Sequence, residues 1–77
     1  MTRIGFVHDH LCSSLKAIFG QVRSVTYGKI EGDERVYVIY ENGYQRVDVS
    51  GLSDSALASK VINAVYDAAK GMGQTNE

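Results

Sequence analysis

Residues 8–12 read HDHLC and gather both histidines of the chain, its single cysteine and Asp9 into five positions. These residue types bind zinc, and a Cys–His pair is also the kit of a nucleophile and its base. On a helix, His8 and Cys12 stand four apart and share a side; on a strand, His8, His10 and Cys12 line one face. A structural zinc site takes four ligands, usually rich in cysteine, and the chain has no second cluster to complete one. Zinc shared across a homodimer would meet the count. A nucleophilic Cys12 needs a lowered pKa, which a nearby helix N-terminus helps to supply. No oxyanion motif or glycine-rich nucleophile loop accompanies it. Beside Leu11 and Leu15 the thiol reads as a small core side chain, and Asp9 reads as a helix cap. The expectation is a non-enzymatic protein with no metal, no cofactor and no catalytic residue. Metal or thiol chemistry at His8, His10 and Cys12 stands as a third reading of function.

Two other stretches raise a chemical question. Residues 31–34 (EGDE) place Glu31, Asp33 and Glu34 together, without the twelve-residue spacing of a calcium loop, and read as a solvated acidic turn. Gly28, Gly32 and Gly43 form no phosphate-binding G-x-G-x-x-G pattern.

The elements that must position any site follow from periodicity. The chain has 77 residues, 44% hydrophobic and 22% charged, with no proline. That length predicts one domain over 1–72 and a flexible tail over 73–77. Such a domain buries roughly 60% of its unfolded surface, enough for one thin core, so a partner subunit or a homodimer would add stability. Asp9 as cap predicts a helix through Phe19, with Leu11, Leu15, Ile18 and Phe19 on one side and Gly20 as its stop. Ile4 and Val7 extend the same period back toward Thr2, and 3–7 equally suits a short strand. From Val22 the period becomes two, with Val25 and Tyr27 alternating against Ser24, Thr26 and Gly28 up to Ile30. Residues 35–41 (RVYVIYE) carry the strongest strand signal. Asn42-Gly43 suits a two-residue type I′ turn, after which 44–50 (YQRVDVS) returns as a third strand. That turn sets Glu41 opposite Tyr44, Val38 opposite Val47 and Val36 opposite Val49. Ser53 then caps a second helix, with Asp54 in its first turn and Leu52 stapled on Leu57. Its stripe is Leu57, Val61, Val65, Ala68 and Met72, widened by Ile62 and Ala64, with Gly71 and Gly73 as stops.

The predicted fold is α+β: helix, three-stranded antiparallel meander, helix (αβββα), with both helices packed on one face of the sheet. Val25, Tyr27, Val36, Val38, Tyr40, Val47 and Val49 form the buried face. Tyr37, Ile39 and Tyr44 lie on the other, with Arg35, Arg46, Asp48 and Thr26. Tyrosine and arginine concentrate binding energy at interfaces, and a contiguous apolar-aromatic face marks a partner site. The expected partner-binding residues are Tyr37, Ile39, Tyr44, Arg35 and Arg46, supplemented electrostatically by Glu31, Asp33 and Glu34.

Charge separates the function classes. Net charge is −1; Arg3, Lys16, Arg23 and Lys29 face only Asp9 in the first thirty residues, while acidic residues prevail afterwards. This is no general basic footprint. No apolar run approaches the roughly 20 residues of a membrane span, and no signal-peptide h-region opens the chain. One cysteine fits a reducing, cytoplasmic setting. The element order resembles that of double-stranded RNA-binding domains, whose final helix opens with a phosphate-gripping lysine cluster. Here the matching stretch, 53–60 (SDSALASK), has Asp54 at that end and Lys60 as its one lysine. In size and architecture the chain also resembles small phage-encoded inhibitors, CRISPR inhibitors among them. The leading expectation is a protein-binding inhibitor, adaptor or accessory factor of phage or mobile-element type. Nucleic-acid binding through Lys16, Arg23, Lys29 and Arg46 is the alternative.

Overall fold

The computed structural model describes residues 2–75, and side chains through Lys70. Its architecture is the αβββα arrangement the periodicity predicts. The first helix, α1, runs from Arg3–Gly5 through a π-helical stretch, Phe6–Leu11, to Cys12–Ile18. The buried residues Val7, Leu11 and Leu15 recur every fourth position and form the row that faces the sheet. The wider i→i+5 turn is seen in the bond from Cys12 N–H to the Val7 carbonyl.

The start of this helix settles the alternative that the sequence leaves open at residues 3–7, while its cap and its last turn depart from expectation. Thr2 is the cap, its Oγ1 accepting from Gly5 N–H at 3.0 Å, so residues 3–7 are helix and not strand. Asp9 is no cap; it lies exposed in mid-helix. Ile18 is 64% exposed, because with a row at every fourth residue the next inward position is Phe19, which packs against the core.

The sheet holds β1 (Val22–Ile30), β2 (Asp33–Tyr40) and β3 (Gly43–Asp48) in the order β1-β2-β3, all antiparallel. A bulge between Val22 and Ser24 lets Val22 and Val25 both point inward despite their odd spacing. The first hairpin turns on Glu31 and Gly32 alone, at φ 52° and 87°, the paired positive angles of a type I′ turn. Asp33 and Glu34 therefore belong to β2, paired with Ile30 and Lys29, and the four-residue acidic turn does not form.

At the second hairpin Tyr40 pairs with Gly43, so Glu41 and Asn42 make the loop, and neither Asn42 nor Gly43 has positive φ. Val36 faces Val47, Val38 faces Gln45 and Ile39 faces Tyr44. The register thus lies two residues from the one Asn42-Gly43 implied. An even slip leaves every side chain on its expected face. Gln45, alternating with Val47, points inward, where Oε1 accepts from the Tyr40 hydroxyl at 2.7 Å and Nε2 donates to the Ala64 carbonyl at 3.3 Å.

The second helix, α2 (Asp54–Thr75), is capped by Ser53, whose Oγ accepts from Ala56 N–H at 3.2 Å. It continues past Gly71 and Gly73, the expected stops. Glycine lowers helix propensity without forbidding the conformation. The expected place of Met72 in the apolar stripe lies outside the described side chains, as do residues 76 and 77 of the expected tail. Helix α1 packs on β1 and α2 on β3, both over the same face. Among the described residues nine valines and three leucines fill the core, a composition of small side chains that makes it thin. No described helix is long and apolar enough to cross a membrane.

Candidate functional site

Alternation along β2 and β3 sends Arg35, Tyr37, Ile39, Tyr44 and Arg46 to the face that neither helix covers. Pairing then sets them side by side: Tyr37 stands between Thr26 and Arg46, Ile39 between Ser24 and Tyr44, and Arg35 between Gly28 and Asp48. The rings of Tyr37 and Tyr44 tilt together with centroids 6.0 Å apart. Tyr44 is 67% exposed, while Tyr37 is half-buried because its ring lies over Gly28: a β-carbon on that glycine would stand 3.8 Å from Tyr37 Cε2. Beside this ring Gly28, Ile30, Glu31, Asp33, Arg35 and Tyr37 line a shallow pit of about 260 Å³. A larger groove, about 490 Å³, opens at the other end between Gln21, Arg23, Tyr40, Glu41, Tyr44 and Ala68. Tyr44 borders both the groove and the open face.

The structure brings together Tyr37, Ile39, Tyr44, Arg35 and Arg46, with Asp33 and Glu31 at their margin. It separates Glu34 from them. Alternation turns this carboxylate to the opposite face, where it accepts from the Tyr27 hydroxyl and, at 3.1 Å each, from Arg3 Nη1 and Gly51 N–H. Arg3 also donates from Nε to Asp54 Oδ1 at 3.1 Å and from Nη2 to the Leu52 carbonyl. One guanidinium thereby ties the start of α1 to β2 and to the start of α2. The Tyr27 hydroxyl, then the Gly51 amide and Arg3, hold the Glu34 carboxyl below the usual carboxylate range. Burial, reinforced by Glu34, pushes the Tyr27 phenol up. Asp48 is also held low, first by the Ser50 amide and hydroxyl, with Lys60 and Arg35 adding.

Sequence reasoning missed this clamp. Its signal was the position of Arg3, four residues before Val7 and so at the head of the buried row. The groove and the contacts of Gln45 with Tyr40 and Ala64 left no such trace, because they depend on the register of the second hairpin and on where α2 docks.

His8, Asp9 and His10 are exposed on α1, with the His10 ring 6.2 Å from that of Phe6; Cys12 is half-buried against the core. Among the described residues no three His, Cys, Asp or Glu side chains come close enough together to hold a metal ion. The basic residues of the nucleic-acid alternative do not gather on one strand. Lys16 lies on α1, the β1 residues Arg23 and Lys29 lie across β2 from Arg46, and Arg23 pairs with Glu41 at 3.0 Å.

No family model, curated protein or solved structure matches the chain.

Proposed function

We propose that this protein is a small non-enzymatic binding module, an inhibitor, adaptor or accessory factor, that engages another protein through the open face of its sheet. The observation that carries the reading is the one-sided arrangement of the helices. Both lie over the valine face, leaving Tyr37, Ile39 and Tyr44 uncovered beside Arg35 and Arg46. Tyrosines and arginines in such a cluster supply rigid apolar area and directional hydrogen bonding together, and losing one at the centre of an interface costs about 2 kcal/mol or more. Glu31 and Asp33 at the margin add charge that orients an approaching partner. The single half-buried cysteine suits a reducing, cytoplasmic compartment.

The test compares wild-type protein with a Tyr37→Ala/Arg46→Ala variant as bait in lysate of the native host, with captured proteins identified by mass spectrometry. The expected result is a partner captured by wild type and lost with the variant, whose circular dichroism is unchanged. Equal capture by both would remove the open face from the account. Recovery of nucleic acid instead, with affinity falling steeply as salt rises, would favour the other class.

A further inference from the structure

We infer that the open face takes an acidic segment of a protein partner, its carboxylates held by Arg35 and Arg46 beside Tyr37. The inference rests on the protein-binding reading above and names the chemistry of what is bound. The chain has four arginines, and the structure divides them two and two. Arg3 pairs with Glu34 and Asp54, and Arg23 with Glu41. Arg35 and Arg46 are the pair on the open face. Among the described residues neither makes an ion pair or a side-chain hydrogen bond.

Their placement sharpens the contrast. Arg46 is the cross-strand partner of Tyr37, and Arg35 precedes Tyr37 by two residues on β2. The two arginines are therefore diagonal neighbours on one face, with α-carbons on the order of 7 Å apart. Two like charges at that spacing repel, and an incoming anion relieves the repulsion. The carboxylate opposite Arg35 is Asp48, whose Oδ1 is engaged by the Ser50 amide at 3.1 Å and the Ser50 hydroxyl at 2.9 Å. A guanidinium fork matches a carboxylate in two parallel hydrogen bonds and can stack on an aromatic ring at the same time. The tyrosine pair beside the forks offers apolar contact to the aliphatic part of an acidic side chain or to an aromatic neighbour of it.

A protein fits this face better than a nucleic acid does. Glu31, Asp33 and Asp48 border the arginines, and the net charge of the chain is −1. A duplex, with one charge per about 1.7 Å, would press phosphates against those carboxylates. A polypeptide can place carboxylates singly over Arg35 and Arg46 and keep them clear of the acidic margin.

The experiment uses the full chain and three fluorescent probes at low salt, read by anisotropy: a random glutamate–tyrosine copolymer, a lysine–tyrosine copolymer and an oligothymidylate of similar length. The glutamate–tyrosine copolymer is expected to bind. Arg35→Gln/Arg46→Gln should weaken that binding at least about tenfold, while Arg23→Gln, altering an arginine already paired elsewhere, changes it less than about twofold. Each single substitution at Arg35 or Arg46 should give part of the loss, and thermal midpoints should stay at the wild-type value. The inference is overturned by absence of binding to the acidic copolymer, by undiminished binding of the double variant, or by an oligothymidylate bound as tightly and lost with the same substitutions. Tighter binding of the lysine–tyrosine copolymer through the same face would also overturn it, while leaving the protein-binding reading intact. That reading fails separately, if Tyr37→Ala/Arg46→Ala captures the host partner as wild type does.

Discussion

The same three strands present two unlike surfaces. Toward the helices they show Val25, Val36, Val38 and Val47, all buried and all β-branched. Away from the helices they show Thr26, Gly28, Arg35, Tyr37, Ile39, Tyr44 and Arg46. The inner face is closed at one end by the clamp of Arg3, Glu34, Tyr27 and Asp54; on the outer face the ring of Tyr37 covers Gly28 and leans on Tyr44. Stability and recognition are thus divided between alternate residues of each strand. Outer side chains can be replaced without disturbing the packing that holds the sheet, and inner ones cannot.

The largest effect should come from the inner side. Leu57 is fully buried where α2 meets the sheet, and Leu57→Ala should cost about 3 kcal/mol. Against a total of about 3 to 5 kcal/mol for so small a core, the variant should keep at most about 2 kcal/mol and melt far below wild type by circular dichroism. A next step is Glu34→Gln, which removes the charge that Arg3 and the Tyr27 hydroxyl address. The folded pKa of Glu34 lies below its unfolded value near 4.3, so its contribution is present above that pH and is lost as pH falls through the folded pKa. Glu34→Gln should therefore lower the urea midpoint at pH 7 and flatten the acid-side decline of stability. The slope that remains belongs in part to Asp48, whose pKa is shifted the same way. The smallest effect belongs to the outer face: Tyr44→Ser should change stability by no more than about 0.5 kcal/mol.

The two faces were legible in the sequence because strand side chains alternate whatever the register. Val36, Val38, Val47 and Val49 were assigned to the inner face from a hairpin two residues out of register, and an even error preserves faces. The two turns show the limit of local propensity. Asn42-Gly43 carries the stronger type I′ signature, yet the positive angles fall on Glu31 and Gly32. The second hairpin is instead set by inward contacts of Gln45 with Tyr40 and Ala64, which no local pattern encodes. At the first helix, Ile4 and Val7 extend the helical period back toward Thr2, and the cap is Thr2 and not Asp9. HDHLC therefore lies within the helix and is not its entrance. For the candidate site, the five outer-face residues came from alternation alone. Glu34 was grouped with Glu31 and Asp33 because adjacency in sequence concealed that β2 begins between Gly32 and Asp33.

The division of labour between the faces can be measured directly. Each of Arg35, Tyr37, Ile39, Tyr44 and Arg46, and each of Val36, Val38 and Val47, is substituted in one library, and every variant is scored twice, for folded abundance and for capture of the host partner. The account predicts that inner-face substitutions lower both scores together, while outer-face substitutions lower capture at wild-type abundance. Outer-face variants that keep full capture, or that lose abundance as steeply as the valine variants, would contradict it.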